Sequence, residues 1–439
     1  MRDTPNARRA IVLLALVPTF ASAPSTARAD GTCPVLDAST FELPPLDTSA
    51  IDAPVPPIVD PTDKVMASFH EKLAALVRGR RKEPIRIALY GDSNMTQDGI
   101  SGGVRRTLQA KYGDAGHGFV ALGRAWPWYL HMDVLHDAEH GRWKAYSTSV
   151  QPAPDAYYGF ANMAFETKKK GARTWVSTED GAPVGAKVSR FDTYFLKGPN
   201  RGSFDVRIDG RPVRTVSTRA TANEAGFEAF DVPDGAHKFE LFAGGDESIR
   251  VFGVTLERGT PGVVVDSLGT GALNYEQMTR VEAKTRRAML ERRKYDLVFF
   301  HIGSNIFAPG EAVSTSWIKK VVDAHREARP GLPVVILSPS DIVSDKTSKK
   351  SDPRIKALVG ELRRGAEATG SAYWDFWSAM GGEQSMLALR KKGLASTDLI
   401  HFVRKSGIMM GDRIAHALVA DLARYVAAHP RAGCEAGVD

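Results

Sequence analysis

The apolar run Ile87-Ala88-Leu89-Tyr90 ends in Gly91-Asp92-Ser93-Asn94, placing a hydroxyl where a strand is predicted to turn into a helix. A serine at such a corner can act as a nucleophile. The buried strand fixes its base, glycine permits the turn, and the hydroxyl emerges at the carboxyl edge of a parallel sheet, where open α/β folds place ligands. Such a serine needs a base and a group to orient it. Asp398-Leu399-Ile400-His401 offers both, because a three-residue spacing lets the carboxylate turn back to the imidazole, fix its tautomer and stabilise its cation. The same spacing recurs at Asp133/His136, Asp137/His140 and Asp234/His237. Only Asp398 and His401 follow the last predicted sheet strand, on a loop that can face Ser93.

Two more clusters fall at predicted strand ends. The glycines of Leu268-Gly269-Thr270-Gly271-Ala272 let a backbone N–H approach a substrate closely, and Gly303-Ser304-Asn305 brings an amide to the same edge. Asp92 reads as a turn-stabilising acceptor. His301 reads as a satisfied core histidine, and Asp375, among Tyr373, Trp374, Phe376 and Trp377, as a buried strand end. The aromatic run Trp126-Pro127-Trp128-Tyr129, with His131 and Trp143, either stacks on sugar rings or packs a domain junction.

Alternating strand and helix patterns must carry these clusters. Val65, Phe69, Leu73 and Val77 mark a helix face before the first strand, and a helix follows Ser93 around residues 102–109. Further strands are predicted at 263–268, 297–302, 334–337 and 372–376, with helices between them and a last helix ending near Ala428. This rhythm indicates an α/β fold with a doubly wound parallel sheet in three layers. Between 125 and 262 the pattern changes to period-two runs such as Phe204-Asp-Val-Arg-Ile208, broken by turn residues. An antiparallel β-sandwich is therefore inserted into the α/β unit, which spans 64–124 and 263–428.

At 439 residues, with 43% hydrophobic and 25% charged content, the chain reads as a soluble globular protein. Residues 1–29 combine Arg2, Arg8 and Arg9, the apolar run Ala10–Ala21 and Ala27-Arg28-Ala29, the parts of a secretory signal peptide. Export to the periplasm or cell exterior is expected. No later segment is long enough for a membrane helix, and the Pro-rich stretch 30–63 reads as an extended linker. The two cysteines, Cys33 and Cys434, build no metal site; they either pair in an oxidising compartment or stay as thiols in the linker and in the tail 429–439. The net charge of +7 suits anionic wall polymers but comes without any nucleic-acid-binding signature. No cofactor or metal is expected.

In their order and strand context, Ser93, Gly269 or Gly271, Asn305 and the Asp398/His401 pair resemble the four blocks of the SGNH (GDSL-like) hydrolases. The run from Gly91 through Leu108-Gln109-Ala110-Lys111-Tyr112-Gly113-Asp114-Ala115-Gly116-His117-Gly118-Phe119-Val120 resembles the peptidoglycan O-acetylesterase branch. The resemblance implies a triad of Ser93, His401 and Asp398, with an oxyanion hole from Ser93, Gly271 (or Gly269) and Asn305. It also implies an acetylated glycan as substrate, with Trp126, Trp128 and His131 as candidate contacts. Two departures stand out: the glycine block is compressed, and Asn94 occupies a position where that branch has histidine. The alternatives are a glycan O-acetyltransferase using the same triad and a catalytically degenerate wall-binding protein.

Overall fold

The computed structural model describes residues 33–305, 314–345, 347 and 349–435; the expected leader, 1–29, lies outside them. Within the unit Val35–Asp439, five strands form a parallel sheet: β1 (Ile85–Gly91), β2 (Val263–Gly269), β3 (Leu297–His301), β4 (Val334–Leu337) and β5 (Ala372–Trp374). Their order is β2-β1-β3-β4-β5. The strand order reverses at β1, so the switch point of the sheet lies at the carboxyl end of the strand that leads to Ser93.

Alternate residues of β1 enter different cores, as a pleated strand requires. Ile85, Ile87 and Leu89 pack with Leu73, Ile100, Val104, Ile414 and Leu418 from the helices Ala67–Val77, Gly99–Tyr112 and Arg404–Ala428. Ala88 and Tyr90 pack on the other side with Met289, Ile318, Val321 and Leu362, from the helices Ala283–Arg293, Thr315–Ala328 and Pro353–Ala368. Helices thus cover both faces, which explains the near-continuous apolar strands.

The inserted region is two antiparallel sheets, one centred on Val188–Lys197 and Ile249–Glu257, the other on Arg173–Thr178 and Lys238–Ala243. Along Ser203–Ile208, the alternation buries Phe204, Val206 and Ile208. Aromatic contacts join the sheets: Phe195 meets Phe204 edge-on at 5.2 Å and Phe191 meets Phe239 at 5.4 Å. The sandwich starts earlier than residue 125. Gly118–Ala121 pairs antiparallel with Ile249–Glu257, because the short apolar run Phe119-Val120 completes that sheet and lies over β2.

A buried charge network fastens the sandwich to the parallel sheet. Asp266 on β2 accepts from Arg293 at 2.6 and 2.8 Å, from the Tyr295 hydroxyl at 2.5 Å and from the Phe119 N–H at 2.8 Å. Glu257, ending the last sandwich strand, takes a two-pronged bond from Arg86 at 2.9 and 2.8 Å and a second arginine, Arg293.

The Pro-rich stretch corrects the linker expectation. Its prolines keep it extended, but the apolar residues between them are drawn into the core: Phe41, Ile51 and Ile58 are buried. Arg413 of the last helix donates to the Ala53 carbonyl at 2.8 Å, and Val59 bridges to Tyr373 of β5. Cys33 and Cys434 are each disulfide-bonded, so neither is a free thiol. No helix among the described residues is long and apolar enough to cross a membrane.

Burial raises the Glu257 pKa, but Arg293 and Arg86 outweigh it and hold the carboxyl down at about 2, against an ordinary 4.5. A depressed folded-state pKa contributes stability above the unfolded value that is lost as pH falls through the folded one. Thermal melts of the wild type should therefore weaken steadily from pH 4.5 toward 2. Glu257→Gln should lower stability at pH 7 by about 3 kcal/mol and flatten that acid slope; an unchanged slope would discount the network.

Candidate active site

Beyond β1 the chain makes a single 3-10 turn, Ser93–Met95, capped by Asp92. Asp92 is fully buried, and its carboxylate accepts from the N–H groups of Asn94 and Ser304, both at 3.2 Å. The turn lies flat on the sheet because two strand-end residues have no side chain. A Cβ on Gly91 would meet Met95 Cβ at 2.7 Å, and one on Gly269, its register partner, would lie 2.6 Å from the Met95 carbonyl carbon.

The structure brings Ser93, His401 and Asp398 together. His401 Nε2 lies 2.7 Å from Ser93 Oγ, and His401 Nδ1 lies 2.7 Å from Asp398 Oδ2. The other carboxylate oxygen accepts from the N–H groups of Ile400 at 2.9 Å and His401 at 3.0 Å, winding the segment into a tight turn. That turn forces Leu399 to a φ of 61°, a left-handed conformation costing a non-glycine residue roughly 1–2 kcal/mol. Burial favours the neutral acid at Asp398, yet the bonds from His401 and Ile400 hold its pKa below the ordinary value. An ionised Asp398 accepts the hydrogen bond from Nδ1–H and so leaves the Nε2 lone pair facing the serine hydroxyl, the arrangement for general-base activation.

Of the four Asp/His spacings, only this one couples its own partners. Asp133 pairs with Arg106, Asp137 with Arg124 and Asp234 with Arg258, while His237 pairs with Asp209. Asp375 caps the short helix Phe376–Ala379, accepting from Ser378 N and Ser338 Oγ.

Asn94, noted only as a departure in the sequence, joins the two halves of the site. Its Oδ1 accepts from Phe402 N at 3.1 Å and its Nδ2 donates to the Ile400 carbonyl at 3.3 Å. One side chain thus grips the backbone on both sides of His401. Sequence proximity to Ser93 was its only available signal, since its partners lie at the far end of the chain.

The oxyanion candidates separate. Gly269 makes room for the turn that carries Ser93. Thr270 N–H is taken up by the Gly91 carbonyl at 3.0 Å, whereas Gly271 N–H has no such partner among the described residues. Asn305 is half-buried and donates to the Leu273 carbonyl at 3.1 Å, so one of its amide hydrogens is already taken.

A cavity of 460 Å3 opens over the triad, lined by Ser93, Asn94, Gln97, Trp128, His401 and Arg404. Trp128 is 50% exposed at its mouth. Trp126 is half-buried, its ring 3.1 Å from where a Cβ on Gly271 would stand. His131 is not a surface contact. It is buried, with Nε2 3.0 Å from the Tyr129 hydroxyl, and burial pushes its imidazole down to about 4. His301 is a core residue stacked on Phe376 at 4.0 Å, but neither ring nitrogen finds a partner among the described residues. The satisfied reading of His301 is therefore corrected.

Although no metal was expected, Asp98, His117 and His131 bring possible ligand atoms within 4.8 Å of one another. Asp98 is already committed. Its oxygens accept from Arg105 at 2.8 and 3.1 Å, from Met132 N at 2.9 Å and from Ser101 Oγ at 2.5 Å. Arg105 supplies the counter-charge that a cation would bring.

No protein-family model and no curated protein matches the chain. Solved structures do. A peptidoglycan O-acetylesterase superposes with a TM-score of 0.66 at 21% identity, covering 82% of this chain and 97% of its own. A family two carbohydrate esterase from Clostridium thermocellum matches at a TM-score of 0.25 and 9% identity, over 62% of this chain and 97% of its own. A lipase/acylhydrolase from Enterococcus faecalis matches at 0.27 and 15%, over 36% and 76%. The first establishes a shared fold; the other two are too loose to add weight.

Removing the Asn94 clamp should misplace His401 without touching the triad itself. Asn94→Ala should lower kcat for p-nitrophenyl acetate on the order of 100-fold with little change in KM. An unchanged kcat would mean that the loop holds itself.

Proposed function

We propose that this chain is an exported serine esterase that removes O-acetyl groups from a cell-wall or extracellular polysaccharide, with peptidoglycan as the first substrate to test. The observation that carries this reading is the continuous relay from Asp398 through His401 to Ser93, with both bonds 2.7 Å, opening on a cavity. The fold shared with a peptidoglycan O-acetylesterase supports the substrate class. The leader-like residues 1–29 and the disulfide-bonded cysteines support export.

In this mechanism His401 Nε2 takes the Ser93 proton as Oγ attacks the acetyl carbonyl. The developing oxyanion is held by the N–H groups of Ser93 and Gly271, with the second amide hydrogen of Asn305 as the remaining donor. The tetrahedral intermediate collapses, the sugar oxygen leaves with the proton carried by His401, and Ser93 keeps the acetyl group. Water, activated by the same imidazole, then attacks the acyl-enzyme and releases acetate. Trp128 stands where it can meet the sugar that carries the ester.

Acetate release should be measured from O-acetylated peptidoglycan, acetylated xylan and longer-chain esters. The reading expects glycan acetate to be preferred, with Ser93→Ala and His401→Ala each lowering the rate at least about 1,000-fold and Asp398→Asn about 10,000-fold. Activity within a few-fold of wild type in Ser93→Ala or His401→Ala would remove the triad. Acetyl-sugar formation in place of acetate release would make the enzyme a transferase.

A further inference from the structure

We propose that a second groove, beside the catalytic cavity, holds the neighbouring rings of the polymer whose acylated sugar sits at Ser93, so that the enzyme reads a neutral glycan strand several pyranose units long. This rests on the esterase reading above. The groove measures 780 Å3 and is lined by Trp126, Pro127, Trp143 and Trp175, with Gln151 and the Arg124/Asp137 pair among its polar groups. That volume lies within the range of cavities that hold whole small molecules.

The groove is tied to the catalytic cavity by one short turn. Tyr129 N–H closes Trp126–Tyr129 on the Trp126 carbonyl at 3.1 Å, with Pro127 at the position where proline favours a turn. Trp126 and Pro127 line the groove, while Trp128 lines the cavity that holds Ser93. The turn is a ridge with an indole on each side. It is fixed to the nucleophile segment, since Leu130 N donates to the Thr96 carbonyl at 3.2 Å and Met132 N to Asp98 at 2.9 Å. Trp126 also packs against Gly271, the proposed oxyanion donor. A chain crossing the ridge would touch both indoles and pass the oxyanion site between them.

The lining chemistry selects the ligand. Pyranose rings present C–H faces that stack on indoles and hydroxyl edges that hydrogen-bond. The Trp143 indole N–H is held by the Arg173 carbonyl at 3.0 Å, which sets the ring plane. Both arginines lining the groove are paired, Arg124 with Asp137 and Arg173 with Glu240. Their charges are compensated, which favours a neutral sugar over a polyuronate.

The test is acetate release from partially O-acetylated chitooligosaccharides of two, four and six residues, with p-nitrophenyl acetate as the reference ester. In the wild type, kcat/KM should rise at least tenfold from two to six sugars. Trp143→Ala should flatten that rise, and Trp143→Phe should restore most of it. A wild-type profile flat in chain length, or a rise undiminished in Trp143→Ala, overturns the groove; the wild-type profile decides even if the variant fails to fold. Preference for an acetylated oligouronate of equal length overturns the neutral-strand assignment. Loss of disaccharide deacetylation in Ser93→Ala reports on the esterase reading separately, so the two can fail independently.

Discussion

The site depends on a steric allowance between two strand ends. Gly91 and Gly269 stand opposite each other in β1 and β2, and a methyl group on either would collide with the turn that carries Ser93. Because both are bare, the turn rests directly on the sheet edge. Asp92 can then be buried beneath it, and Asn94 can reach the loop bearing His401. A shift of this turn would break the contact between Ser93 and His401, since hydrogen bonds weaken steeply with distance and angle.

β2 carries a second duty. Three residues before Gly269, Asp266 anchors the arginine network that holds the sandwich. The seam between the two halves and the floor of the site thus share one short, fully buried strand. Charge pairs hold the sandwich against the sheet, and the turn at Trp126–Tyr129 is tied to the segment after Ser93 through Thr96 and Asp98.

The parallel sheet was legible because each strand is a short apolar run bounded by turn residues, and the Asp398/His401 pair because its local spacing already encodes the turn. What escaped depended on distant partners. Tyr129, two residues away, receives His131, but the closed core beside His117 in which the pair lies is not written in an aromatic, histidine-bearing run, which reads alike as surface or interior. The proline content of residues 30–63 correctly implied extended backbone, but the burial of Phe41, Ile51 and Ile58 depends on a last helix that local sequence does not reveal. Gly269 and Gly271 are alike in sequence, and only the neighbours above each glycine separate packing from a free N–H.

The sandwich also bears on how the chain assembles. β1 is made early, yet both of its sheet partners, β2 and β3, lie beyond the insert, so the strand leading to Ser93 pairs only with segments far along the chain. Contacts this distant in sequence are slow to form. Yet Gly118, at the start of the sandwich, pairs with Leu256 near its end. Once the sandwich folds, the chain leaves it almost where it entered, and a loop of well over a hundred residues is shortened to about thirty. Closure entropy varies only slowly with length, about 0.6 kcal/mol per doubling, and about two doublings are removed at once. The paired ends of the insert thus bring the entry to β2 near the exit from β1, and with it the Gly269 that seats the Ser93 turn.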